Sequence, residues 1–213
     1  METKLIIFDM DGVLADTEPL HRNSKYKILE RFGVHEKPDL SWTVGIPNKE
    51  IWERLMSQYG FQSDAATCEQ MQYDGILEEM AEIHLPPSQG LIPLLDWMDE
   101  QKIPAAIASS SNRYFVDRVT EFLGIKHRFR WIVCGDEVAR KKPDPDAYQK
   151  VLQLAGITPN QAIAIEDSHS GSKAAFRAGI PCIGYQNPTS GEQDLSCCTT
   201  LIQHLEQVKD LIP

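Results

Sequence analysis

The chain has 213 residues, 42% of them hydrophobic and 24% charged, enough for one globular core with a smaller companion and too few for three domains. Its formal net charge of −10 excludes partners that need a broad positive field, such as duplex nucleic acid or an anionic membrane, so any phosphate must be received locally. The longest apolar runs are too short to span a bilayer, and the N-terminus lacks a signal peptide's apolar stretch and cleavage site, so a cytoplasmic protein is expected.

The first predicted element is a strand, Leu5 to Phe8, which runs straight into Asp9-Met10-Asp11-Gly12-Val13. Two carboxylates then stand at the carboxyl end of a buried strand, where open α/β sheets bind ligands. Alternation along a strand lets Asp9 and Asp11 share a side, so that one could attack phosphorus while the other moves a proton. An Asp-Gly turn is the plain alternative for this stretch.

About 70 residues that read as helical follow. Leu20, Ile28, Leu29 and Phe32 mark one helix closing at Gly33. Ile51, Trp52, Leu55, Met56 and Tyr59 mark a second closing at Gly60, and a third covers Asp64 to Ile83. Pro86, Pro87 and Gly90 punctuate the return to a second strand, Ala105 to Ser109. Ala108-Ser109-Ser110-Ser111-Asn112 then offers small hydroxyl groups leading into a helix whose free N–H groups suit an anion. Asn112 begins that helix, Phe115, Val116, Val119 and Phe122 give it an apolar face, and Gly124 ends it.

A third strand, Trp131 to Cys134, precedes Lys141-Lys142-Pro143-Asp144-Pro145, which sets a cation before a helix start, with Asp144 suited to the N-cap and Pro145 to the first turn. The fourth strand, Ala162 to Ile165, leads into Glu166-Asp167-Ser168-His169-Ser170-Gly171, an acidic pair that with Asp9 could offer hard oxygen ligands to Mg²⁺. Cys182 to Gly184 is a fifth strand. Strands alternating with helices predict an α/β, doubly wound parallel sheet. The helical stretch is then a second, smaller, all-helical domain inserted after the first strand. The boundaries read 1–15 and 87–213 for the core and 16–86 for the insertion. The five cysteines, without C-x-x-C spacing, read as reduced thiols that partly fill the core, with Cys197 and Cys198 at the surface.

Four polar clusters, each following the carboxyl end of a successive strand, resemble the four motifs of the haloacid dehalogenase (HAD) superfamily: Asp9-x-Asp11-Gly12-Val13, Ser109, Lys142-Pro143-Asp144-Pro145, and Glu166-Asp167-Ser168 with Gly171. The helical insertion, with Asp16-Thr17-Glu18-Pro19-Leu20-His21, is similar to the cap of the phosphoglycolate phosphatase and β-phosphoglucomutase branch. The resemblance implies a Rossmann-like core and a Mg²⁺-dependent phosphatase acting on a small phosphorylated sugar or polyol. Asp9 would be the nucleophile forming an aspartyl-phosphate, Asp11 the general acid and then base, and Ser109 and Lys142 the holders of the phosphoryl oxygens. It also implies Mg²⁺ on the Asp9 carboxylate, the Asp11 main-chain carbonyl and Asp167, with Glu166 in or beside that shell.

Substrate choice is expected in the cap, at Thr17, His21, Gly45 and Lys49, helped by Ser110, Ser111 and Asn112 in the core. The chain is expected to act as a monomer. A sugar phosphomutase is the alternative, but β-phosphoglucomutases typically carry a lysine before the glycine matching Gly45 and an arginine three residues after it, where this chain has Val44 and Asn48. Dehalogenases of the superfamily usually lack the equivalent of Asp11, and phosphonatases need a cap lysine, for which Lys25, Lys27 or Lys49 would have to serve. A receiver-type signalling domain would place its acceptor aspartate after the third strand and has no large cap. A phosphate-sensing or protein-binding module without turnover is the alternative of another class.

Overall fold

The computed structural model describes residues 3–43 and 46–212. In chain order the elements are β1 (Leu5–Phe8), α1 (Glu18–Arg31), α2 (Asn48–Tyr59), α3 (Ala65–Ile83), α4 (Leu91–Glu100), β2 (Ala105–Ala108), α5 (Arg113–Phe122), β3 (Phe129–Val133), α6 (Asp146–Ala155), β4 (Ala162–Glu166), α7 (His169–Arg177), β5 (Cys182–Tyr185), β6 (Thr200–Ile202) and α8 (Val208–Leu211). The chain divides into two compact units, Met1–Asp16 with Pro86–Pro213, and Thr17–Leu85.

The larger unit is built on a six-stranded sheet of order β3-β2-β1-β4-β5-β6, parallel throughout. Central β1 is registered through Ile6 opposite Ala105 on one side and Leu5 opposite Ala162 on the other. All four of its side chains are fully buried, which is why an unbroken apolar run forms it: both faces of a parallel sheet are covered. Leu5 and Ile7 pack with Ala106, Ala108, Ala164, Tyr148, Val151 and Ala174; the small strand residues give the larger helix side chains room to reach the sheet. Phe8 meets Phe129 edge to face, ring centroids 5.9 Å apart. The winding turns back at β1, since β2 and β3 lie to one side and β4 to β6 to the other. A ligand crevice belongs at the carboxyl end of such a strand.

The ends of the insertion are tied within this unit. Ser88 N donates to Leu14 O at 2.9 Å, Asn187 Nδ2 donates to Asp16 Oδ1 at 3.3 Å, and the Thr189 hydroxyl also bonds Asp16.

The smaller unit holds α1, α2 and α3. Its core gathers Ile28, Leu29, Leu40, Ile51, Trp52, Leu55, Phe61 and Cys68, with Phe32 stacked on Phe61 at 4.6 Å. Asp64 caps α3 by accepting from Thr67 N, which costs about 1 kcal/mol when lost.

Several expectations need correction. α6 starts at Asp146, with Pro145 in the N-cap position. Asp144 does not cap it, because a turn from Asp144 N to Lys141 O closes first and the Asp144 carboxylate faces Arg140 and Arg177 at 3.7 and 3.8 Å. The third strand begins two residues early, at Phe129, which pairs with Ala105. The sixth strand and α4 were not among the predicted elements. Cys198 is half-buried, and its Sγ lies 3.6 Å from that of buried Cys182.

Candidate active site

The carboxyl ends of β1 and β4, with the loop after β3, bring acidic and basic side chains together in the core unit. Lys142 Nζ donates to Asp9 Oδ1 at 2.6 Å and to Glu166 Oε1 at 2.5 Å. All three residues are buried, and Glu166 has no exposed surface. The Tyr148 hydroxyl, from α6, donates to the same Glu166 oxygen at 2.5 Å, and the Lys142 ammonium stands 5.1 Å from the Tyr148 ring centroid. Beside them Asp167 Oδ2 accepts from Ser190 Oγ at 2.5 Å. Asp11 accepts from Ser111 Oγ at 2.8 Å, and Ser109 Oγ accepts from Ser111 N at 3.1 Å.

Two glycines make this density possible. Gly12 has φ +75°, and a Cβ there would lie 1.9 Å from Asp167 Oδ2; no other residue lets that carboxylate press against the backbone after β1. A Cβ on Gly171, in the first turn of α7, would fall 1.8 Å from Glu166 Oε2. Ser168 caps α7 by accepting from Gly171 N, so its first turn is settled by a side chain of the same motif.

The electrostatics are unbalanced. Asp9, Glu166 and Asp167 bring three carboxylates, each offering an oxygen within 4.8 Å of the others, against the ammonium of Lys142. Burial pushes the Asp9 carboxyl up to about 8; Lys142 opposes the shift, while Glu166 and Asp11 add to it. Burial also works against the Lys142 ammonium, yet Asp9 and Glu166 together hold its pKa above the ordinary lysine value. Of this pair Lys142 keeps its proton, and Asp9 is the group whose ionisation is costly. Hard oxygen donors with surplus negative charge are the chemistry of a divalent-cation site, and the residues present fit one.

The sequence-derived residues Asp9, Asp11, Ser109, Ser111, Lys142, Glu166 and Asp167 all lie at these strand ends. Ser110 follows Ser109, and its carbonyl is where a Cβ on Gly135 would collide, at 2.1 Å. Asn112 spends its side chain capping α5, accepting from Phe115 N at 2.9 Å. In the smaller unit, Thr17 and His21 are buried, whereas Lys49 is largely exposed beside Glu53 at 3.8 Å. Gly45, with Val44, lies outside the described residues. Sequence reasoning missed Tyr148, Asn187 and Ser190. Asn187-Pro188-Thr189-Ser190 follows β5 directly, so the rule that located the other groups, polar residues after a core strand, was the signal for it. Tyr148 sits among the apolar positions of α6 and carried no such signal.

Among the described residues no helix is long and apolar enough to cross a membrane. The sequence model of the family described as haloacid dehalogenase-like hydrolase matches residues 6–185. A phosphorylated carbohydrates phosphatase of Thermotoga maritima is 32% identical over 82% of this chain and 81% of its own. The validoxylamine A 7'-phosphate phosphatase of Streptomyces hygroscopicus subsp. limoneus is 28% identical over 97% of this chain and 96% of its own. Among solved structures, CbbY from Rhodobacter sphaeroides in complex with xylulose-(1,5)bisphosphate superposes with a TM-score of 0.85 at 26% identity, covering 96% of each chain.

Proposed function

The chain belongs to the haloacid dehalogenase-like hydrolases and is a phosphoric monoester hydrolase, and from that premise we propose that it releases phosphate from a small phosphorylated sugar or polyol through an aspartyl-phosphate on Asp9, with Mg²⁺ bound. The observation that carries the reading is the buried Asp9–Lys142 pair, 2.6 Å apart, with Asp167 within ligand reach. The relatives named for phosphorylated carbohydrates and for validoxylamine phosphate support the substrate class.

In this reading Asp9 attacks phosphorus and the P–O bond to the sugar breaks. Asp11 gives its proton to the departing oxygen, then takes one from the water that cleaves the aspartyl-phosphate. Lys142 and Ser109 hold the phosphoryl oxygens, where little beyond charge neutralisation and alignment is needed. Asp9, Asp167 and the Asp11 carbonyl would hold Mg²⁺, which supplies charge neutralisation at the phosphoryl group. Glu166 stands beside that set, because Lys142 and Tyr148 already occupy its Oε1. Substrate choice belongs to the inserted unit, through Thr17, His21 and Lys49.

The test is inorganic phosphate release from a panel of hexose, pentose and polyol monophosphates, phosphoglycolate and nucleotides. Release from sugar or polyol phosphates, abolished by EDTA and restored by Mg²⁺, is expected. Activity indifferent to EDTA would contradict the metal assignment, and isomerisation of a sugar phosphate without release would favour a mutase. Asp167→Ala should raise the Mg²⁺ concentration needed for half-maximal activity by at least about 10-fold. An unchanged magnesium titration would remove Asp167 from the ligand set.

A further inference from the structure

Two thiols of the core unit meet at the edge of the sheet. Cys182 opens β5 and is buried, whereas Cys198 stands just before β6 and is half-buried. Their Sγ atoms lie 3.6 Å apart although the residues are 16 positions apart in the chain. The main chain fixes the contact, since Thr199 donates to Cys182 O through its backbone N at 2.7 Å and its hydroxyl at 2.9 Å. Room for it comes from Gly184, two residues along β5 and so on the same face as Cys182. A Cβ there would stand 3.0 Å from Cys198 Sγ and 2.6 Å from Leu201 Cδ2.

The two thiols are unequal. The Cys182 thiol holds Cys198 below the ordinary cysteine value, against burial and the Glu166 carboxylate. The same contact, together with burial, pushes Cys182 up. Cys198 is therefore both the thiol that ionises first and the one that solvent reaches. An accessible thiol of lowered pKa beside a second thiol is the arrangement that oxidants convert to a disulfide. The other core cysteines are set apart from this pair. Burial pushes the Cys134 thiol up to about 12, which leaves it unreactive. Cys197 and Cys198 are chain neighbours, whose Cα atoms lie about 3.8 Å apart, short of the roughly 4.4–6.8 Å that a disulfide spans.

We propose that Cys182 and Cys198 are a peroxide-responsive pair that forms a reversible disulfide, closing the base of the segment between β5 and β6. The Cys198 thiolate attacks one oxygen of hydrogen peroxide, giving a sulfenic acid, and the hydroxide that leaves takes up the Cys198 proton as water. The Cys182 sulfur then attacks the sulfenic sulfur, and the departing hydroxyl takes the Cys182 proton as a second water. Two thiols and one peroxide thus become one disulfide and two waters. The closed segment supplies Asn187 and Ser190, which hold Asp16 and Asp167, so oxidation tethers it at both ends. It also fastens β6, which borders the sheet through β5 alone. The pair needs nothing from the phosphatase reading in order to close.

The experiment treats the reduced full-length protein with a small excess of hydrogen peroxide, alkylates the remaining thiols under denaturing conditions and counts them by mass. The wild type should lose two of its five free thiols. Digestion after Glu192 should then give peptides joined through Cys182 and Cys198, which dithiothreitol separates. Cys198→Ser should keep all its remaining thiols, and Cys197→Ser should still lose two. The disulfide form should melt about 5 °C or more above the reduced form, and reduction should reverse the gain. Five thiols surviving peroxide, a link through Cys197, or Cys198 carried on to a sulfinic acid without a link would overturn the pair. A disulfide form no more stable than the reduced protein would overturn the tether.

Discussion

Replacing Asp9 by Asn should lower phosphate release by on the order of 10⁴-fold or more and leave the chain folded. An amide is nearly isosteric with the carboxylate but has no charged oxygen with which to attack phosphorus. Lys142 would still hold Glu166 at 2.5 Å, so the buried ammonium keeps a counter-charge. The variant carries a second signature in metal-free buffer. The Asp9 pKa is raised from its ordinary value of 3.8 to about 8, so its contribution to stability is full below about pH 4 and is lost as pH rises through about 8. The amide that replaces it does not titrate. Measured by thermal unfolding in EDTA, Asp9→Asn should therefore gain on the wild type between about pH 5 and about pH 8, and Mg²⁺ should narrow the gap by stabilising the ionised wild type. An active, normally folded variant would remove Asp9 as nucleophile, and parallel pH profiles would contradict the electrostatic account.

Lys142→Met should have the larger effect on stability. It leaves Asp9 and Glu166 buried without the ammonium that now lies 2.6 and 2.5 Å from them. Removing one member of a buried ion pair costs about 3–5 kcal/mol, which for a chain of this size lowers the melting temperature by roughly 10 °C. The loss should be smaller at acid pH, where the Asp9 carboxyl is protonated, and should grow as pH rises. Activity, assayed at a temperature where the variant is folded, should fall by about 10²–10³-fold, the scale for losing a preorganised charge at a developing anion. Lys142→Arg keeps the charge but not the fit, and should recover stability more than turnover. A Lys142→Met protein with wild-type stability at about pH 8 would mean that the buried carboxylates do not depend on this lysine.

The legible part of the fold was its buried part. β1 and β5 are apolar because neighbours cover both faces, and such strands announce themselves as unbroken runs. Polar residues following those runs were legible for the same reason, since a carboxylate such as Asp9 or Glu166 at the end of a covered strand is costly unless it is used. β6 escaped because it has three residues and two of them are exposed; an edge strand of that length has neither period nor run. The start of α6 was misplaced because Asp144 is a good cap by type, whereas in the structure a turn from Asp144 N to Lys141 O closes first and Pro145 takes the N-cap position. Tyr148 was invisible for a different reason. It sits on a helix face where packing alone would account for it, and what sets it apart is one hydrogen bond to Glu166, distant in sequence.

The tie between Ser88 N and Leu14 O has an architectural consequence. It joins the two sides of the insertion before the chain leaves the core, so the sheet does not rely on residues 17–85 to bring β1 and α4 together. A replacement segment need only bridge a gap that is already closed, and lengthening such a bridge costs only about 0.6 kcal/mol per doubling. The site at the strand ends can therefore be carried unchanged with very different inserted segments. The core works as a socket, and what is plugged into it can be exchanged without rebuilding the chemistry.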